Sequence, residues 1–142
     1  MVAEVKEARG DLEQIEQAHR LIFGFLRDLD SADEPSEIFK ILDPLAQLLP
    51  GHFSDEEGPN GLYEELQAAR PANHSRLKNL EREHREILQA LEALRQQSRT
   101  SERDGDRIQQ EKTAFVQKVR SHEQAETCLF MDTYLVDEGG PG

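Results

Sequence analysis

Histidines and glutamates placed on otherwise apolar stripes carry the chemistry open to this 142-residue chain. His19 falls in the series Leu12, Ile15, His19, Ile22, Leu26, and His84 in the series Leu77, Leu80, His84, Ile87, Leu91. A third series runs Phe115, Val119, His122, Glu126, Leu129, and a fourth runs Leu45, Leu48 or Leu49, His52, Glu56. A polar residue where a core residue is expected is the informative kind of exception. One inward histidine alone is usually a hydrogen-bonded core residue. Two inward carboxylates beside four inward histidines are different, because an unpartnered buried carboxylate is costly and would otherwise neutralise. A pair of divalent cations gives all six a common purpose, and imidazole with carboxylate suits iron, manganese or zinc. His52/Glu56 and His122/Glu126 share the spacing His-x3-Glu, which places both side chains on one helix face with Cβ atoms about 6 Å apart. Such a pair can put a terminal imidazole and a bridging carboxylate on one cluster.

The elements that must hold these residues are helices. Four segments carry apolar residues at steps of three and four: Leu12 to Leu29, Ile38 to Leu49, Leu77 to Leu94, and Ile108 to Phe130. Ser31 to Pro35 reads as a loop and start signal, with a capping box from Ser31 to Glu34. Arg70-Pro71-Ala72-Asn73 separates the second helix from the third, and the polar stretch Gln97 to Asp106, with Gly105, forms the third loop. Short loops between amphipathic helices make neighbours antiparallel, so the expected fold is all-α, an antiparallel up-down four-helix bundle. The second segment is irregular. Pro44 is a kink candidate, Pro50-Gly51 is more disruptive, and Gly58-Pro59-Asn60-Gly61 breaks the chain again before Leu62 to Arg70. It reads as a helix with one kink and one interruption. One domain over residues 1–142 is expected, with a core from about residue 10 to 137 and a fraying tail, 137–142.

Height along the bundle tests the set. From His19 to the first turn is about 13 residues and from there to His52 about 17; Glu56 lies about 13 before the second turn and His84 about 11 after it; His84 lies about 14 before the third turn and His122 about 17 after it, so at about 1.5 Å per residue the levels agree within roughly one turn. His74 precedes His84 by about 15 Å along a helix, so a regular helix cannot bring both to one cluster. The turn count favours His84, with His74 a helix-start residue or the alternative ligand if Pro71–Asn73 folds inward.

The pattern His19, His52-x3-Glu56, His84, His122-x3-Glu126 resembles the hemerythrin-like family, the HHE cation-binding domain, over roughly residues 12 to 137. The neighbours Phe53 and Glu57, the pair Glu83-His84 and the pair His122-Glu123 agree with it. The resemblance implies two iron ions, oxo- or hydroxo-bridged and carboxylate-bridged by Glu56 and Glu126, with iron ahead of manganese or zinc. It also implies an open position for dioxygen, nitric oxide or peroxide. Oxygen carriers of the family use five histidines and a His-x3-His pair. This chain has five histidines but no such pair, which moves the expectation toward bacterial hemerythrin-like proteins and relatives that sense iron or repair iron clusters. The first functional expectation is a binding protein for dioxygen or nitric oxide, in binding, sensing or storage. The alternatives are a di-iron enzyme acting on peroxide or nitric oxide or delivering iron for cluster repair, and an iron-responsive regulatory module. A metal-free acidic adaptor is the bland reading. No dedicated proton-transfer residue stands out, which tilts the expectation away from an enzyme.

Other residues are assigned by position. Glu57 and Glu123 each turn about 100° from the metal face and read as solvated surface; Cys128 reads as a packed or surface thiol off that face. Phe23, Leu80, Leu88, Val119, Leu129 and Phe130 are expected in the core, as a dry wall around the site. Tyr63 and Tyr134 are candidate donors to a bridging carboxylate or bound ligand. The net charge of −12, with 32% charged residues, disfavours nucleic acid and anionic membranes. No apolar run approaches the roughly 20 residues of a membrane span, the first residues lack a secretion signal, and the single cysteine precludes an internal disulfide. A cytoplasmic location is the default expectation.

Overall fold

The computed structural model describes residues 2–100 and 105–136. Four long helices, α1 (Val2–Ser31), α2 (Pro35–Glu57), α4 (His74–Thr100) and α5 (Gly105–Met131), pack in a ring in chain order. A short helix, α3 (Leu62–Ala69), and a 3-10 turn at Pro71–Asn73 connect α2 to α4. No strand occurs among the described residues, and none of their helices is long and apolar enough to cross a membrane. The fold is an antiparallel up-down bundle, as the four amphipathic stripes require.

The core has two apolar layers. The larger contains Ile22, Leu26, Leu42, Leu49, Phe53, Ile87, Leu91, Phe115 and Val119. The smaller contains Ile15, Leu62, Tyr63, Leu66, Leu77, Leu80 and Leu129. Three of the four long helices pass from one layer to the other through a polar position: Ile15–His19–Ile22 on α1, Leu80–His84–Ile87 on α4, Leu129–Glu126–His122–Val119 on α5. On α2 the second layer is missing, because the helix ends at Glu57. α3 supplies it by folding Leu62, Tyr63 and Leu66 across that end of the bundle.

The turn that makes this possible is Gly58–Gly61. Asn60 has φ 63°, in the left-handed region, and a Cβ on Gly61 would lie 2.1 Å from the Asp55 carbonyl oxygen and 2.7 Å from that of Glu56. Only glycine lets the chain double back this closely on the last turn of α2. Asn73 then fixes the return, donating to the Leu66 carbonyl at 3.0 Å and to the Thr133 hydroxyl at 2.9 Å.

The structure corrects two expectations in the second segment. α2 runs as one helix through Pro44 and Pro50-Gly51, and the break expected at Gly58–Gly61 is the interruption that forms. Each interior proline costs about 3 kcal/mol or more. Both prolines are exposed, however, on the solvent side of the helix, where water can serve the carbonyls they leave free. The same helix buries Ile38, Leu42, Leu45, Leu49 and Phe53, at roughly 1.5–3 kcal/mol each, and that burial wins. The Ser31–Glu34 capping box also does not form. Ser31 ends α1, Glu34 is itself the N-cap of α2 and makes no side-chain cap bond, and Pro35 takes the first helical turn. Instead Lys112, 4% exposed, donates from Nζ to the Ala32 carbonyl at 2.8 Å. Gln109 donates to the carbonyls of Ala32 and Asp33. A lysine from α5 thus serves the carbonyl end of α1, where a cation also suits the helix dipole. The third loop is shorter than expected at its start, since α4 continues to Thr100; residues 101–104 and the tail 137–142 lie outside the described residues.

Candidate metal centre

His19, His52, Glu56, His84, His122 and Glu126 meet in the slab between the two apolar layers. Five of them are at most 3% exposed, and only His19, with 21% of its side chain accessible, reaches toward solvent. Glu56 turns Oε2 to His19 Nε2 at 3.1 Å, and Oε1 to His84 Nε2 at 3.2 Å and His52 Nε2 at 3.4 Å. Glu126 turns Oε1 to His19 Nε2 at 3.0 Å and Oε2 toward His122 Nε2 at 3.6 Å. Glu126 therefore offers one oxygen to His19 and the other to His122, and Glu56 offers one to His19 and the other to both His84 and His52, so that each carboxylate is shared between histidines of different helices.

The rings of His84 and His122 are held with one nitrogen facing inward. His84 Nδ1 is 2.6 Å from Glu57 Oε2, and His122 Nδ1 is 2.8 Å from Glu83 Oε1. A proton on each Nδ1, donated to the carboxylate, leaves the Nε2 lone pair free to face the cluster, and the carboxylate also makes the ring a stronger ligand. Phe53 stacks on His84 at 3.8 Å between ring centres, fixing its plane. Tyr63, from α3, donates to Glu126 Oε2 at 2.7 Å and sits 2.9 Å from His84 Nε2. Of the two candidate tyrosines, Tyr63 reaches the cluster, whereas Tyr134 lies outside it with its hydroxyl 3.4 Å from Glu65.

Without a cation the cluster is under electrostatic stress. Burial would by itself lower the pKa of His19, but hydrogen bonds to Glu126 and Glu56 and the charge of Glu123 outweigh it and raise it to about 10. Burial, aided by the charge on His19, lowers His52 to about 4. Burial, aided by the charge on His122, lowers His84 to about 3. Burial and the charge of Glu126 push Glu56 well above the usual carboxylate range. Glu126 itself falls to about 2, because hydrogen bonds to His19 and Glu56 overcome its burial. Five buried polar atoms of the slab have no hydrogen-bond partner: both ring nitrogens of His52, His122 Nε2, Glu56 Oε1 and Glu123 Oε1. Orphaned buried atoms in such number are rare in folded proteins, and one ring nitrogen of His52, His122 Nε2, Glu56 Oε1 and Glu123 Oε1 are all atoms a cation can take up. Three sets have ligand atoms close enough to share an ion: Glu56, His84, His122, Glu126; His19, His52, Glu56; and His19, Glu123, Glu126. The residues present fit a metal centre.

The other assignments divide. His74 is exposed at the first residue of α4, its Nδ1 3.3 Å from Gln67, and joins none of the three sets. Cys128 is exposed. Leu80, Val119 and Leu129 are buried as expected and Leu88 packs against the core, but Phe23 and Phe130 are 46% and 43% exposed. Their positions lie at the edge of the stripe, where a 3.6-residue period turns side chains out of the bundle. Glu57 and Glu123 are not merely solvated surface. Glu57 holds His84, and Glu123 is 5% exposed with Oε2 3.3 Å from His19. A signal for Glu123 was present in the sequence, since Val116, Val119, Glu123 and Glu126 follow steps of three and four. The helical period gives no such signal for Glu57 and Glu83, which serve histidines on other helices; only the local context of the family resemblance pointed to them.

The family model of the hemerythrin HHE cation binding domain matches residues 10–131. The chain therefore belongs to this family of helical cation-binding proteins. No curated protein and no solved structure gives a significant match.

Proposed function

We propose that the slab holds two iron ions and that the loaded centre reversibly binds a small oxidant or radical ligand, dioxygen or nitric oxide. The observation that carries the reading is the disposition of Glu56 and Glu126, each with one oxygen toward His19 and the other toward His84 or His122. His19 and His52 would hold one ion, His84 and His122 the other, with the two glutamates between them. Four imidazoles and two carboxylates suit iron, with manganese and zinc behind it. A pair of ferrous ions held there would supply the two electrons that reversible dioxygen binding requires. The chain's own part is to exclude water, with Phe53, Ile22 and Val119 above the slab and Ile15, Leu62 and Leu129 below it. Entry is from the His19 side. A groove of about 420 Å³ lined by Leu12, Ile15, Leu62 and Phe130 opens there onto His19 and Glu126. Its mostly apolar walls suit a neutral diatomic.

Tyr63 favours a second reading, turnover of peroxide or nitric oxide. It places a buried hydroxyl proton against Glu126, where an enzyme would want a donor. Iron analysis and spectroscopy separate the readings. Binding predicts close to two irons per chain and a visible absorption change, on adding dioxygen or nitric oxide to the reduced protein, that reverses when the gas is removed. An irreversible change with catalytic consumption of peroxide or nitric oxide would favour the enzyme. Under one iron per chain would sink both.

A further inference from the structure

We propose that Glu123 is a third carboxylate ligand of the centre, serving the cation on the His19 side, so that the two metal positions are chemically unequal. The inference rests on the two-cation reading above and adds a residue outside the paired His-x3-Glu pattern. Glu123 is 5% exposed, and its Oε1 has no hydrogen-bond partner. Its Oε2 is one of three carboxylate oxygens converging on His19 Nε2: Glu126 Oε1 at 3.0 Å, Glu56 Oε2 at 3.1 Å and Glu123 Oε2 at 3.3 Å. An imidazole nitrogen carries at most one proton and cannot satisfy three oxygens. A divalent cation can accept all of them. His19, Glu123 and Glu126 accordingly form a second ligand set, which shares only Glu126 with that of Glu56, His84, His122 and Glu126.

Glu123 differs from the other nearby glutamates. Glu57 and Glu83 are each about a third exposed and approach the Nδ1 atoms of His84 and His122, on the far side of each ring from the cluster. Glu123 approaches the inward nitrogen of its histidine. Charge argues the same way. Two divalent cations against Glu56 and Glu126 leave a buried excess of two positive charges; Glu123 reduces it to one, and uncompensated buried charge is costly. The position it serves is the one beside the groove, since His19 lines that groove and His84 and His122 do not. The His19-side ion is therefore richer in carboxylate oxygen and nearer solvent.

The test is an anaerobic titration of the full apo-chain with Fe(II), against a chromophoric chelator, for wild type, Glu123→Gln and Glu123→Asp. Wild type should bind two ions in separable steps. In Glu123→Gln one step should weaken by about tenfold or more while the other stays within about threefold, and Glu123→Asp should restore part of the loss. A purely structural pairing with His19 would lower apo-protein stability and leave both steps unchanged, which would overturn the proposal while the two-cation reading stood. Wild type binding fewer than two ions would instead overturn the reading beneath it. If Glu123→Gln fails to fold, Mössbauer spectra of wild type loaded with 57Fe(II) decide. Two unequal ferrous environments are expected, and a single one refutes the inequality.

Discussion

Replacing Tyr63 by Phe should destabilise the metal-free protein without weakening metal binding. The Tyr63 hydroxyl is buried, donates to Glu126 at 2.7 Å and lies 2.9 Å from His84 Nε2. Removing it leaves a buried carboxylate oxygen without its donor. A hydrogen bond to a charged group contributes about 1.5–3 kcal/mol, which for a chain of this size lowers Tm by roughly 3–12 °C. In the loaded protein the balance changes. His84 Nε2 and Glu126 Oε2 are the atoms a cation would take, so the hydroxyl must surrender at least its approach to His84 on loading. Whatever it contributes to the apo-protein and loses on loading opposes metal uptake. Tyr63→Phe should therefore bind Fe(II) as tightly as wild type or up to about tenfold tighter, a gain of at most about 1.4 kcal/mol. Calorimetric melting of both forms and a chelator-competition titration measure the two halves of this cycle. Binding weakened tenfold or more would refute the reasoning, because it would mean that the hydroxyl stabilises the loaded centre more than the empty one.

The apo-protein should be most stable between about pH 4.5 and pH 7. Below that range His52 and His84, with folded pKa values of about 4 and 3 against 6.5, and Glu126, at about 2 against 4.5, bind protons more readily when unfolded. Their contributions are therefore lost as the pH falls. Between 4.5 and 6.5 the raised pKa values of Glu56 and Glu123 offset the two histidines. Above 7, the proton held on His19, whose pKa is about 10, is stabilising and is lost as the pH rises. Denaturant midpoints measured across pH 3–10 that rose steadily toward alkaline pH would contradict this. Lys112→Met should cost about 1–3 kcal/mol by leaving the Ala32 carbonyl short of its donor; an unchanged urea midpoint would show that Gln109 or water suffices. Gly61→Ala should move the end of α2, because its Cβ would lie 2.1 Å from the Asp55 carbonyl oxygen. Loss of iron binding out of proportion to the loss of folding, read by metal analysis beside circular dichroism, is the expected signature, and normal iron content would show that the turn relaxes elsewhere.

The stripes of Leu and Ile at helical spacing determined four helices, and the histidines and glutamates interrupting those stripes determined which residues face inward. That much is legible because a 3.6-residue period converts sequence position into a face, and because short loops force neighbouring helices to run in opposite directions. The same period marked Glu123, on the series Val116, Val119, Glu123, Glu126, although a single-step rule about its neighbour His122 put it on the surface. Tertiary structure decided the remainder. Pro44 and Pro50 do not break α2, because their faces happen to look outward while Leu42, Leu45 and Leu49 are buried. α3 closes the lower layer and delivers Tyr63 to Glu126, a placement set by one tight turn at Gly61 and not by any local periodicity. Glu57 and Glu83 hold the rings of His84 and His122 from other helices. Such pairings join residues 27 and 39 positions apart and depend on how the helices rotate against one another, which packing fixes and no single stripe records.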